Sequence, residues 1–215
     1  MKKGFTLSEL LMALTIVGVI ATLTVPVMMN NIHNKMFANQ VKNMSAIIEQ
    51  LAQDELIAHR TRDLSDTDFG DPAKLLSDKH FSISKSCTSD ESLANCWKTS
   101  ATGKEKVTYK KLNKQADSIG AGTTIILKNG VIMKYFLSSN DSDTVGMFVI
   151  DVNGNDKPNI IGRDLFAFYV TPKGHVTDTV QNNLSLTEKI SRCKTSGDAT
   201  YCYGALADGG WKMDY

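Results

Sequence analysis

Twenty consecutive residues without a charge, Leu10 to Met29, open close to the amino end of this chain, and most of them are apolar. At the rise of an α-helix they span about 30 Å, the thickness of a bilayer's hydrocarbon core. A run of this kind must be hidden in lipid or against other apolar helices, so it constrains everything that follows it. Lys2 and Lys3 stand directly before it, the positive-inside pattern that keeps an amino end in the cytoplasm. A secretory signal has a shorter apolar region followed by a small-residue cleavage site. Ala21-Thr22-Leu23 is a weak version of such a site, and Thr22, Thr24, Val25 and Pro26 lead straight into another amphipathic segment. The run therefore reads as retained in the protein.

Glu9 does not fit that run. A lone carboxylate in lipid costs on the order of several kcal/mol unless it is neutralised or paired. Lys2 and Lys3 would lie in the headgroups, too far along the chain to serve it. A cut between Gly4 and Phe5 would create a positive amine beside it. Fixed one helical turn away, that amine reaches the Glu9 of a neighbouring helix more easily than its own. The chemistry points to parallel helices that pair one subunit's amine with another's carboxylate.

The stretch "KKGFTLSELL" resembles the prepilin processing motif of type IV pilins and type II secretion pseudopilins: a short basic leader, Gly4, Phe5, then Thr6 and Leu7, with Glu9 four residues after the Phe and an apolar helix from Leu10. The resemblance is confined to about 25 residues and specific within them. It implies cleavage after Gly4 by a membrane prepilin peptidase that also N-methylates Phe5. It further implies pairing of Glu9 with the Phe5 amine of an adjacent subunit in a helical filament. Gly18 and Pro26 stand where many pilins carry helix breakers, and Pro26 by itself removes one helix hydrogen bond and should kink or loosen the turn before it. Removing Met1 to Gly4 takes two lysines and turns a net charge of +1 into −1.

Apolar residues continue at helical spacing through Phe37, Val41, Met44, Ile48 and Leu51, with Lys35, Asn39, Lys42, Asn43 and Gln50 on the other face. This predicts one helix of about fifty residues ending near His59, before the turn-rich "TRDLSDTDFGDP". The heptads are too few for a coiled coil, so the stripe is expected to pack on the protein's own sheet. His33, His59 and Arg60 are read as solvated. The expected organisation is a leader at 1–4, a membrane and assembly helix at 5–29, an amphipathic stem at 30–60 and a globular head at 61–215.

In the head, "AKLLSDKHF" after Pro72 predicts a short helix with Asp71 as cap. The segment "TTIILKNGVIMKYFL" carries two β-rich runs around Asn129-Gly130, the signature of a tight hairpin. "GMFVIDV", "LFAFYVT" and a short "HVT" after a Pro172-Lys173-Gly174 turn supply further strands. "SLTEKISRC" predicts a helix capped by Ser185 or Thr187, followed by a loop to Cys202 and the tail "GALADGGWKMDY", with Trp211 and Tyr215 covering the rim of the sheet. One long helix followed by antiparallel strands is an α+β plan. The resemblance implies the same plan: a type IV pilin-like fold with the long N-terminal helix laid on an antiparallel β-sheet and a disulfide-stapled C-terminal segment.

The four cysteines, Cys87, Cys96, Cys193 and Cys202, form two pairs that each enclose eight residues. Zinc-binding cysteines sit closer together, and no histidine flanks either pair at ligand spacing. An even count in a chain that leaves the cytoplasm reads as two disulfides. Four cysteines allow three connectivities. Cys87–Cys96 with Cys193–Cys202 is favoured, because both bridges close small surface loops, against the alternative of four reduced thiols. The connection "DVNGNDKPNIIGRDLF" carries Asp151, Asn153, Asn155, Asp156, Asn159 and Asp164, oxygen donors of the kind calcium takes. The spacing is not that of an EF-hand: Gly154 comes early and no Glu closes the loop. Asx residues and glycines are equally what turns demand, so calcium is a candidate cofactor beside a purely side-chain-bonded connection.

No G-x-S-x-G, Walker loop or H-E-x-x-H occurs, and the four histidines are scattered. Most carboxylates fall in turn-like segments and are read as solvated. Lys+Arg number 24 against 23 Asp+Glu, and no basic aromatic patch marks a nucleic-acid partner. The expected protein is a non-enzymatic pilin or pseudopilin with its head outside the cytoplasm, anchored by a single pass in the bacterial inner membrane and later part of a pilus, pseudopilus or cell surface. Its expected partners are other subunits of its kind, in a homo- or hetero-polymer, the prepilin peptidase and the inner membrane. A membrane-anchored extracytoplasmic binding protein is the alternative, and a tethered hydrolase a third reading.

Overall fold

The computed structural model describes residues 6–98, 108–117, 119–138, 143–178 and 184–215. A single helix, α1, runs Leu7–His59, and the chain divides into two compact units, Met1–Met36 and Phe37–Tyr215. In the first unit the helix is exposed along its apolar length, with Leu7, Leu14 and Leu23 each about two-thirds exposed or more. Its Thr15 and Thr22 hydroxyls fold back onto the carbonyls of Met12 and Val19 at 2.8 Å. This spends their polarity inside the helix, as an apolar surround requires. Helical assignment continues through Gly18 and Pro26, so the proline does not end the helix.

In the second unit α1 buries Phe37, Ala38, Val41, Met44, Ile48 and Ala52 in one core with the sheet. The expected stripe is present except at its end, where Ala52 is buried and Leu51 lies half in. Two 3₁₀ turns, Leu64–Asp66 and Asp68–Gly70, follow, capped by the side chains of Asp63 and Thr67. Next comes α2, Pro72–Leu75, with Asp71 accepting from the Ala73 N–H.

Six strands form one antiparallel sheet: β1 (Ile83–Cys87), β4 (Thr124–Leu127), β5 (Ile132–Leu137), β6 (Gly146–Asp151), β7 (Leu165–Val170) and β8 (Val176–Thr177), neighbours in that order. A second, two-stranded sheet pairs β2 (Tyr109–Lys110) with β3 (Ala116–Asp117). The β4–β5 hairpin turns at Asn129-Gly130: Gly130 has φ +89° and the Asn129 side chain accepts from the Val131 N–H at 3.2 Å. Only a residue free to adopt that left-handed conformation closes so short a turn at little cost.

The register sets Tyr135, Phe148 and Phe168 side by side on one face. Their rings stack at 4.6 and 5.9 Å and continue to Tyr203 at 4.8 Å and Trp211 at 6.0 Å, with Phe69 edge-on to the first two. This ladder of aromatic contacts is the main apolar mass of the head. The opposite face carries Lys134 and Asp151, both fully buried.

The structure adds two features and corrects one expectation. In the first cysteine loop, strand β1 leads in, and α3 (Ser89–Glu91) and a π-turn at Ser92–Cys96 fill it. The segment leading to Cys202, expected as a loop, instead opens a helix, α5 (Ala199–Asp208), capped by Asp198. It packs beside α4 (Leu186–Thr195), whose cap is Ser185 in a capping box with Glu188. The β2–β3 pair was not legible, because two-residue strands leave no periodicity to read. Trp211 and Tyr215 are half-buried against the core, and the Tyr215 hydroxyl donates to the Gly162 carbonyl at 3.1 Å.

Candidate assembly segment and the polar clusters of the head

The amino end of α1 is built from Thr6-Leu7-Ser8-Glu9. The Thr6 N–H and hydroxyl both donate to Glu9 Oε2 at 2.8 Å, and the Glu9 N–H returns a bond to the Thr6 hydroxyl at 3.3 Å. This is a reciprocal capping box, which satisfies helix-end donors and places a carboxylate at the positive end of the helix. Glu9 therefore has a partner within its own helix. The Thr-x-x-Glu spacing was the signal for it and went unread beside the question of intersubunit pairing. Gly4, Phe5 and the leader at 1–4 lie outside the described residues. A methyl group added at Gly18 would meet nothing within 4 Å, so the helix is bare there. As a whole α1 is long and apolar enough to cross a membrane.

Cys87 is bonded to Cys96 and Cys193 to Cys202, at 2.05 and 2.03 Å. The first bridge sits beside Trp97, whose indole N–H donates to the Thr124 hydroxyl at 3.1 Å. The second joins α4 to α5 and lies under Gly162.

Among the candidate calcium ligands, Asp151 and Asp164 are fully buried, which corrects the reading of turn carboxylates as solvated. Asp151 accepts the Tyr109 hydroxyl at 2.5 Å and the Asn153 N–H at 3.2 Å. Asp164 accepts the N–H groups of Asn159 and Ile160, both at 2.6 Å. The two carboxylates thus fold the β6–β7 connection onto itself and onto β2. Burial raises the Asp151 pKa well above the usual carboxylate range, and the nearby Asp164 charge adds to it. Burial likewise raises Asp164, to about 6. Asn153 donates to the carbonyls of Asp156 and Lys157, and Asn155 donates to that of Cys96. Asp156 itself is exposed. The amide oxygens of Asn153, Asn155 and Asn159 are buried without a hydrogen-bond partner among the described residues. The two buried carboxylates are engaged by N–H and O–H donors, and the three amide oxygens are the unpartnered buried side-chain polar atoms of this connection among the described residues.

Lys134 was not anticipated. It reads as the polar member of an alternating strand, yet it is fully buried. Its ammonium donates to the Gly120 carbonyl and sits over the rings of Trp97 at 4.7 Å and Phe136 at 5.4 Å. Burial lowers its pKa to about 7. Nothing in a single strand distinguishes a solvent-facing lysine from one covered by segments distant in the chain, here those of Trp97 and Gly120.

No curated protein and no solved structure matches the chain. Residues 1–25 match the family model described as the prokaryotic N-terminal methylation motif, the signature of prepilin-like type IV pilins and pseudopilins.

Proposed function

We propose that this chain is a structural, non-catalytic subunit of a filament of the type IV pilus or type II secretion kind. It is made as a precursor, cleaved after Gly4, N-methylated on Phe5 and polymerised through α1. The observation that carries this reading is the methylation motif over residues 1–25, set at the start of a helix long and apolar enough to cross a membrane. Before assembly the inner membrane covers the apolar side chains from Leu7 to Met29, and the head lies outside the cytoplasm. In the filament, neighbouring helices take the place of lipid. The bare surface at Gly18 supports close approach of a second helix backbone, and the Phe5 amine of one subunit neutralises Glu9 of the next.

The capping box gives Glu9 a resting partner before that exchange. Moving a carboxylate from Thr6 to a neighbour's ammonium replaces neutral donors by a charged one, which in lipid is the stronger bond. The partners are other subunits of the same class and the prepilin peptidase that processes them.

Intact mass and amino-terminal fragment sequencing of membrane-extracted protein test the reading. A chain that begins at N-methyl-Phe5 is expected. A mature chain that begins at Met1, in cells with an active prepilin peptidase, would overturn the filament reading and leave a membrane-anchored binding protein. Glu9→Val is expected to abolish incorporation into filaments while leaving processing intact.

A further inference from the structure

Glu55 and His59 lie one helical turn apart at the end of α1, facing the second 3₁₀ turn and the segment before β1. The Glu55 side chain is only 5% exposed. Its Oε2 stands 3.3 Å from His59 Nε2 and accepts the Asp68 N–H at 3.3 Å. Its Oε1 stands 3.8 Å from His80 Nε2. His80, 4% exposed, places the same Nε2 2.9 Å from Asp68 Oδ2. One ligand atom from each of Glu55, Asp68 and His80 falls within 4.8 Å of the others.

We infer that Glu55, Asp68 and His80 form a three-residue site for a divalent transition-metal ion of the zinc class, with water completing its coordination. Four-coordinate zinc with bonds of about 2.0–2.1 Å spaces its ligand atoms about 3.3 Å apart. The His80 Nε2 separations from Asp68 Oδ2 and Glu55 Oε1, 2.9 and 3.8 Å, lie on either side of that edge. An imidazole beside two carboxylates favours zinc-class metals over calcium or magnesium, which want oxygen alone. The site would tie the last turn of α1 to the two segments that follow it, at the point where the helix hands the chain to the sheet.

Lys79 occupies the cation's place. Its ammonium contacts Asp68 Oδ2 at 2.6 Å and Glu55 Oε1 at 3.3 Å, but its side chain is 59% exposed. Unlike the backbone N–H groups that hold Asp151 and Asp164, an exposed lysine can swing into water when a dication arrives. Metal and Lys79 are therefore competitors for one pair of carboxylates. The inference is independent of the filament reading, since the residues all lie in the unit Phe37–Tyr215.

The test is a Co²⁺ titration of the tag-free full chain in detergent, read by visible absorption and followed by displacement with Zn²⁺. One equivalent is expected to give the d–d bands of a four-coordinate site, which vanish on adding Zn²⁺. His80→Gln and Asp68→Asn are each expected to weaken binding by more than about 100-fold, since loss of even an outer-shell partner costs 10–100-fold. Lys79→Met should tighten it by about tenfold, the worth of one lost charge-assisted competitor. Because Lys79 is exposed, that variant keeps the test decisive if His80→Gln fails to fold. Absence of the bands, bands that persist in His80→Gln, or an affinity unchanged by Lys79→Met would overturn the assignment.

Discussion

Lys134 offers a quantitative test of how this head is packed. The side chain is fully buried between Trp97, Phe136 and the Gly120 carbonyl, and burial lowers its pKa to about 7. In the unfolded chain a lysine titrates near 10.4. Between those values the unfolded state holds a proton that the folded state does not, so stability rises with pH across that window and levels off above it. From about pH 7.5 to about pH 9.5 the linkage amounts to about 2.5 kcal/mol. Urea unfolding of the full chain in detergent, followed by fluorescence of the buried Trp97, reads it directly. The midpoint should climb with pH in the wild type and stay level in Lys134→Met, which keeps the length of the side chain and removes the charge. Contributions from every other titrating group cancel in the difference between the two proteins. A wild-type midpoint that is flat over this range, or a Lys134→Met midpoint that climbs in parallel, would refute the reasoning.

Three further outcomes are expected. Cys193→Ser with Cys202→Ser should cost about 2–4 kcal/mol in the same urea assay and open the α4–α5 hairpin to limited proteolysis, because the bridge restricts the unfolded chain; an unchanged midpoint and cleavage pattern would contradict this. Gly162→Ala should destabilise the head by about 1–3 kcal/mol, since Gly162 has φ +86° and a Cβ there would meet both sulfurs of that bridge at 2.9 and 3.0 Å; thermal unfolding measures it, and a wild-type midpoint would show that the bridge can shift. Millimolar calcium should leave the midpoint of thermal unfolding unchanged, because Asp151 and Asp164 are committed to N–H and O–H donors; a saturable rise would make the β6–β7 connection an ion site.

Where a feature rests on neighbours in the chain, it was legible. The apolar run, the Asn129-Gly130 hairpin, the Asp71 and Ser185 caps and the plan of one long helix before antiparallel strands all follow from patterns within about ten residues. The basic residues, glycine, Phe and Glu at the amino end were enough to suggest the methylation motif. The capping box of Thr6 with Glu9 was equally local and was overlooked. Helix α5 was missed because its glycine and its disulfide cysteine suggested a loop, while its apolar residues find their partners only on α4 and β7.

The rest could be decided only by the tertiary structure, because it depends on residues brought together from distant positions. Tyr109 meets Asp151 across 42 residues, and Lys79 meets Glu55 across 24. Strand β1 belongs to the main sheet because β4 accepts its edge, not because "ISKSC" announces a strand. Lys134 is neutral-prone, Asp151 and Asp164 are held above their usual range, and Glu55, Asp68 and His80 converge for one reason. A side chain's solvent is set by what folds over it, and the local sequence does not contain what folds over it.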